Sequence, residues 1–172
     1  MKEFAPLEDV ESVLPILSKI SFLGGVRDTQ QDTIFRRFET VRFKKGEYVA
    51  RQGEEASHIY IIKSGRVELR ITVDGEMVRK REFGVGDSFG EAAMLSLVNN
   101  TASFVSAEDS ELITISRTAL NQLRREDPEL FCQLILNLAR DLARKLQFTD
   151  EMLLRCNLKE GSSVSRGHQA EG

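Results

Sequence analysis

A chain of 172 residues, 41% hydrophobic and 30% charged, has the length of one domain and can bury a core without disulfide or metal staples; this composition excludes a disordered or membrane-embedded protein. With 24 Lys+Arg against 27 Asp+Glu the net charge is -3, which repels a phosphate backbone in the far field and disfavours a polybasic nucleic-acid binder. No run approaches the roughly 20 apolar residues that span a bilayer, and Met1–Asp9 lacks the apolar core and cleavage site of a secretory signal, so the expected setting is cytoplasmic with no membrane partner.

Residues 7–39 read as helical: Leu7, Val10, Val13, Leu14 and Leu17 recur at spacings of three and four, and Ile20, Phe22 and Leu23 lead into Gly24-Gly25. A second short helix follows, capped by Asp28 or Thr29, with Ile34, Phe35 and Phe38 as its apolar face. From Thr40 to Ser116 the period changes to two, in short segments punctuated by glycine: Val41-Arg42-Phe43, Tyr48-Val49, His58–Ile62, Val67–Thr72 and Met77–Phe83. This alternation predicts an antiparallel barrel or roll, and Asp74-Gly75 suits the positive φ angles of a type I′ hairpin turn.

Beyond Arg117 the period is helical again. Asp127-Pro128-Glu129 opens a long helix: Asp127 caps it, Pro128 fits its first turn and Glu129 favours the positive end of its dipole. Its apolar stripe runs Leu130, Phe131, Leu134, Ile135, Leu138, Leu142, Leu146, Met152 and Leu153, and carried to Asn157 it would extend roughly 45 Å, longer than one small roll covers. The expected division is 1–39 N-terminal helices, 40–117 roll, 118–158 hinge and C-terminal helix, and 159–172 a small, polar, disordered tail.

Cys132 and Cys156 fall on one helix, 24 positions apart or about 36 Å of rise, so they cannot pair within a chain. With only His58 and His168 beside them, no cluster has zinc spacing and no Cys–His pair is marked out for nucleophilic catalysis. A metal-holding roll would need several inward His and carboxylate ligands, and no pair of acids is singled out for acid–base work, so neither a metal, another cofactor nor enzyme activity is expected.

The segment Gly84-Val85-Gly86-Asp87-Ser88-Phe89-Gly90-Glu91-Ala92-Ala93-Met94-Leu95 stands apart. Glycine at 90 lets the backbone approach a ligand closely, the following run can form a short helix whose N–H groups face an anion, and Glu91 is an acceptor suited to a ribose hydroxyl. The spacing is not the dinucleotide fingerprint, and it fits equally a turn and short helix closing the roll, with Glu91 a solvated acid.

Phe43-x-x-Gly46-x-x-Val49-x-x-x-Gly53, then Ile59-Tyr60-Ile61-Ile62-x-x-Gly65-x-Val67, then Phe83-x-x-Gly86-Asp87-x-Phe89-Gly90-Glu91 resembles the cyclic nucleotide-binding domain, the family of the bacterial catabolite activator, the regulatory subunits of the cAMP-dependent kinase and the cyclic nucleotide-gated channels. The resemblance covers roughly residues 15–157. It implies an α+β fold: an antiparallel, jelly-roll-like β-roll of eight strands, flanked by N-terminal helices and a long C-terminal helix. It also implies a phosphate-binding cassette for cAMP or cGMP, in which Gly90 and Glu91 are the Gly-Glu pair, Glu91 meets the ribose 2′-hydroxyl and the Ala92 amide meets the phosphate.

Asn100-Thr101-Ala102 aligns with the family's Arg-x-Ala, and there the pattern breaks. An arginine fork supplies charge and two parallel hydrogen bonds to phosphate, whereas asparagine supplies neutral donors alone. Losing one partner of such a pair costs about 2–5 kcal/mol. Either the site is weakened or altered, or the roll keeps the fold without the ligand. Thr101 is at a position where the family's hydroxyl accompanies cGMP preference in kinases, and it fits a plain strand threonine as well.

The function expected is a non-catalytic regulatory module that senses a cyclic nucleotide and signals through an effector protein; the alternative is a ligand-free, dimeric interaction scaffold on the same fold. Ile135, Leu138, Leu142, Leu146 and Leu153 form a candidate homodimer seam, which Lys145 and Thr149 interrupt, and packing on the roll explains the first half of that stripe as easily. Arg144, Lys145 and Gln147 are either contacts to a base or exposed helix surface. The helix-turn-helix of the catabolite activator has no counterpart in the residues after Asn157, so no DNA partner is expected.

Overall fold

The computed structural model describes residues 2–74 and 76–164. Its elements are β1 (Ala5–Pro6), two 3₁₀ turns at Leu14–Lys19 and Ser21–Leu23, α1 (Asp28–Phe35), β2 (Glu39–Phe43), β3 (Tyr48–Ala50), β4 (His58–Ser64), β5 (Val67–Val73), β6 (Glu76–Phe83), β7 (Ser88–Phe89), α2 (Glu91–Ser96), β8 (Ser103–Ser106), β9 (Ser110–Ser116), α3 (Arg117–Glu126) and α4 (Pro128–Val164). All the strand pairings are antiparallel, in a five-stranded sheet ordered β1-β2-β9-β4-β7 and a four-stranded sheet ordered β3-β8-β5-β6. This is the mixed helix and antiparallel roll expected, with a long C-terminal helix.

The alternation along β4 and β9 divides the interior in two. Ile59, Ile61, Ile113 and Ile115 face a cluster with Phe22, Ile34, Phe38, Leu123, Leu130, Leu134 and Leu138, all buried. The intervening Tyr60, Ile62 and Leu112 face a second cluster with Val41, Phe43, Val49, Val67, Phe83, Phe89 and Phe104. A strand buried on both faces reads as a continuous apolar run, as His58–Ile62 does.

Local chemistry sets the ends of the elements. Asp127 Oδ1 accepts from the Leu130 amide at 2.9 Å, so α4 is capped as its sequence suggests, and the Ser116 hydroxyl caps α3 by accepting from the Ala119 amide at 3.1 Å. Gly65 lies at φ +87, and a Cβ there would meet Ser110 Oγ at 2.2 Å, so only glycine fits the β4–β5 turn. In the β5–β6 turn Asp74 is left-handed at φ +52, as a type I′ turn requires, while Gly75 lies outside the described residues.

Two stretches differ from the helical reading. Residues 7–23 form no α-helix and only two 3₁₀ turns, Leu14–Lys19 and Ser21–Leu23, because Pro15 removes a backbone donor and biases Leu14 away from helix while Gly24-Gly25 ends the segment. The Asn137 amide fastens that end, donating to Phe22 O at 3.0 Å and to Gly24 O at 2.6 Å. At the other end α4 continues to Val164, beyond the stop expected near Asn157, since extending an established helix costs little and Leu158, Lys159 and Glu160 are strong helix formers. The remainder of the expected tail, 165–172, lies outside the described residues.

The chain divides into two compact units, Met1–Leu138 and Ala139–Gly172. The first holds both clusters. In the second, the described residues belong to α4, where Leu146 is 62% and Leu153 58% exposed. No helix among the described residues is long and apolar enough to cross a membrane, and no group of three or more His, Cys, Asp or Glu there is placed to hold a metal ion.

Candidate functional site

The segment singled out by its glycines forms the turn β7–Gly90–α2. Gly90 lies at φ +89, and a Cβ on it would stand 2.7 Å from the His58 carbonyl oxygen. Both the left-handed backbone and the close approach to β4 therefore demand glycine. Phe89, just before it, is fixed in an aromatic stack, 5.3 Å from Tyr60 and 4.5 Å from Phe104 between ring centroids. Glu91, just after it, is 3% exposed, so it is not a solvated first-turn acid.

Across from this turn, Asn100 is held by its backbone. Its amide donates to Glu54 O at 2.8 Å, and its carbonyl accepts from the Gly53 amide at 2.8 Å. Asn99 adds a side-chain bond to Gly53 O at 2.9 Å. The chain at 99–100 is thus clipped to the 53–54 turn, and Asn100 is 6% exposed.

Gly90 and Asn100 line one cavity of about 180 Å³, whose wall also includes Val49, Ala50, Glu54, Glu55, His58, Tyr60, Phe89, Phe104 and Lys2. Its electrostatics are mixed. Glu54 is 3.9 Å from Arg51, and Glu55 is 3.3 Å from Arg117. Burial, with the Glu54 charge adding, pushes the Tyr60 phenol up to about 12, so Tyr60 is a neutral hydroxyl. Burial, with the nearby Lys2 charge adding, holds His58 below the ordinary imidazole value; its Nδ1 is 2.8 Å from Ser57 Oγ. A larger open groove of about 990 Å³ runs along β1 and β2, and no residue of the Gly90–Ala102 segment lines it.

Of the six residues predicted for the ligand, the structure brings Gly90 and Asn100 together on the cavity wall and buries Glu91 beside them. Ala102 is buried at 4% exposure, whereas Ala92 and Thr101 are exposed and neither side chain lines the cavity. The backbone N–H groups of the first α2 turn still lack helical acceptors, as at any helix start. Arg144 and Lys145 both pair with Asp141, at 3.5 and 2.7 Å.

The predicted dimer seam is corrected in its first half. Leu138 is 0% exposed in the core of its own unit, and Ile135 packs against the same cluster, because α4 begins on the helix-facing side of the roll and its stripe is consumed there. Leu142 is partly buried, and Leu146 and Leu153 are exposed.

Sequence reasoning missed the wall contributed by Lys2. Ala5 and Pro6 pair with Thr40 and Glu39 as a two-residue edge strand, and the Phe4 ring stacks on His58 at 4.6 Å and 9°. A two-residue strand has no periodicity to read; the only available signal was an aromatic and a cation just ahead of Pro6.

Residues 40–127, just over half of the chain, match the family described as cyclic nucleotide-binding domain. A cGMP-dependent protein kinase of Plasmodium berghei is 33% identical over 98 residues, which is 57% of this chain and 11% of the kinase. The chain is likewise a small part of other curated relatives, 7% of a Neurospora crassa lysophospholipase. Among solved structures, a cyclic nucleotide-binding domain from Methylobacillus flagellatus superposes with a TM-score of 0.78 at 18% identity, covering 90% of this chain and 88% of that one; at that identity the likeness speaks for the fold. The regulatory subunit of a cAMP-independent protein kinase A from Trypanosoma brucei superposes with a TM-score of 0.65 at 26% identity, covering 76% of this chain and 46% of that one. A mutant of the same subunit, with one threonine changed to arginine and a glutamate and a valine changed to alanine, is bound to cAMP in its A site.

Proposed function

The chain belongs to the cyclic nucleotide-binding domain family, and on that premise we propose that it is a non-catalytic regulatory module whose roll takes a cyclic nucleotide and whose response is read by a partner protein. One observation carries the reading: Gly90 and Asn100, ten positions apart in sequence, line a single cavity with the buried Glu91 beside it. In the bound state Glu91 accepts from the ribose 2′-hydroxyl, and the amide of Ala92 donates to the cyclic phosphate. Asn100 contributes a neutral donor where the family places a charged fork, which lowers affinity by about 2–5 kcal/mol relative to arginine.

A ligand shifts such a module only through its differential affinity for two states. The element proposed to differ is α4, which in this family carries the response. The exposed Leu146 and Leu153, with Leu142, are proposed to seat a second copy of the chain; Leu142→Glu is then expected to sediment as a monomer.

The test is calorimetric titration of nucleotide-free protein with cAMP and with cGMP, up to millimolar concentration. The wild-type chain is expected to bind saturably, and Asn100→Arg to gain at least tenfold, about 1.4 kcal/mol. A second reading, the ligand-free dimeric interaction protein, is supported by the Trypanosoma brucei subunit, whose description is cAMP-independent and whose arginine-bearing mutant is bound to cAMP. On that reading the wild-type chain is silent toward both nucleotides and Asn100→Arg alone binds.

A further inference from the structure

Among the residues that line the cavity from outside the cassette is a cation, Lys2. We propose that Lys2 supplies the positive charge missing at position 100 and pairs with the phosphate of the bound nucleotide. The proposal rests on the cyclic nucleotide reading given above.

The charges around the cavity point to Lys2. Two carboxylates line it, and each has an arginine: Glu54 has Arg51 at 3.9 Å and Glu55 has Arg117 at 3.3 Å. His58 favours its neutral form. Lys2 lines the same cavity as Gly90 and Asn100, yet it forms no ion pair among the described residues. Its ammonium donates to the carbonyl oxygen of Val49, on β3, and lies 5.9 Å from the centroid of the Phe43 ring. An ammonium has three donors, so two remain for an anion entering beside Asn100. Burial pushes this ammonium below the ordinary lysine range, with Glu54 opposing the shift and Arg51 adding to it; the negative charge of an incoming phosphate would favour the charged form and oppose the effect of burial.

The segment that delivers Lys2 is held at several points. Ala5 and Pro6 pair with β2, the Leu7 amide donates to Phe38 O at 3.0 Å, and Phe4 stacks on His58 while packing against the cluster between the sheets. Lys2 therefore approaches the cavity from an anchored strand. Lysine acts here as a point charge, without the bidentate fork of arginine, which fits a site whose cassette retains Gly90 and Glu91 but has lost the fork.

The experiment compares wild type, Lys2→Gln, Lys2→Arg and Phe4→Ala by titration with cAMP and cGMP, and with adenosine and guanosine as uncharged controls, after thermal melts of each variant. Wild type is expected to bind a cyclic nucleotide; Lys2→Gln weakens it at least tenfold and reduces its salt dependence, Lys2→Arg retains it, and Phe4→Ala weakens it by detaching the segment. Nucleoside affinity stays level in Lys2→Gln. Unchanged cyclic nucleotide binding in Lys2→Gln overturns the proposal and leaves the nucleotide reading standing. Tighter binding in Lys2→Gln also overturns it and makes the segment an obstruction. Equal losses for nucleotide and nucleoside overturn the charge role, and silence of the wild-type chain toward both cyclic nucleotides overturns the underlying reading together with this one.

Discussion

The two faces of β4 pack against different elements. Ile59 and Ile61 meet aliphatic side chains and the rings of Phe22, Phe35 and Phe38 from the N-terminal turns, the helices and β9, whereas Tyr60 and Ile62 meet the aromatic group of Phe83, Phe89 and Phe104 between the sheets. The first cluster is closed over by α3 and the start of α4. The second borders the cavity through Tyr60, Phe89 and Phe104. One strand thus separates a core walled in by helices from a core whose edge lines the candidate site, and substitutions on the two sides are expected to have different signatures.

The largest effect on stability is expected on the helix side. Phe22 is 1% exposed within that cluster, so Phe22→Ala removes a large buried ring and costs about 3–5 kcal/mol in denaturant unfolding. Ligand affinity of the folded fraction should be close to that of wild type, since Phe22 does not line the cavity. A selective loss of binding at full folding would break the division between the two faces.

On the other side the order is reversed. Gly90→Ala forces an alanine to φ +89 and sets its Cβ 2.7 Å from the His58 carbonyl oxygen, at a cost of roughly 1–3 kcal/mol. Its stability loss is smaller than that of Phe22→Ala, but nucleotide binding is expected to disappear, because the turn that presents Glu91 must move away from β4. Circular dichroism melts and titration on the same samples separate the two quantities. A Gly90→Ala protein with wild-type affinity would place the ligand elsewhere.

How much of this was legible follows the same division. The strands were readable because β2 alternates where one face is solvated and His58–Ile62, buried on both faces, stands out as a continuous apolar run, and the turn at Gly90 was readable because a left-handed, crowded position accepts little else. Glu91 was not decidable from sequence: first-turn acids are ordinarily solvated, and only the fold of α2 against β4 buries it. The α4 stripe was legible as a stripe, but a helical period carries no mark of where its parent core ends, so Leu138 and Leu146 read alike although one is 0% and the other 62% exposed. Lys2 was invisible for a third reason. Its place depends on a two-residue edge strand and one ring stack, contacts too short to imprint a pattern.

His58 lies on the boundary between the two regions, at the start of β4 with its ring against Phe4, and gives the smallest of these effects. Its imidazole is half-buried and held below the ordinary value of 6.5, first by burial and then by repulsion from Lys2. The folded chain therefore resists protonation that the unfolded chain accepts, so between the folded and unfolded values the unfolded state binds more protons and stability rises with pH. His58 contributes fully above pH 6.5 and its contribution declines as the pH falls below that value toward the folded one. Melting temperatures of wild type and His58→Gln, compared from about pH 7.5 to about pH 5.5, should converge on the acid side as the wild-type advantage is lost. A constant difference would mean that His58 does not titrate with folding. Lys2→Gln sharpens the comparison: with the repulsion removed, the His58 value rises and the convergence is displaced to lower stability loss over the same interval, which links the strand that holds the fold to the segment proposed to hold the phosphate.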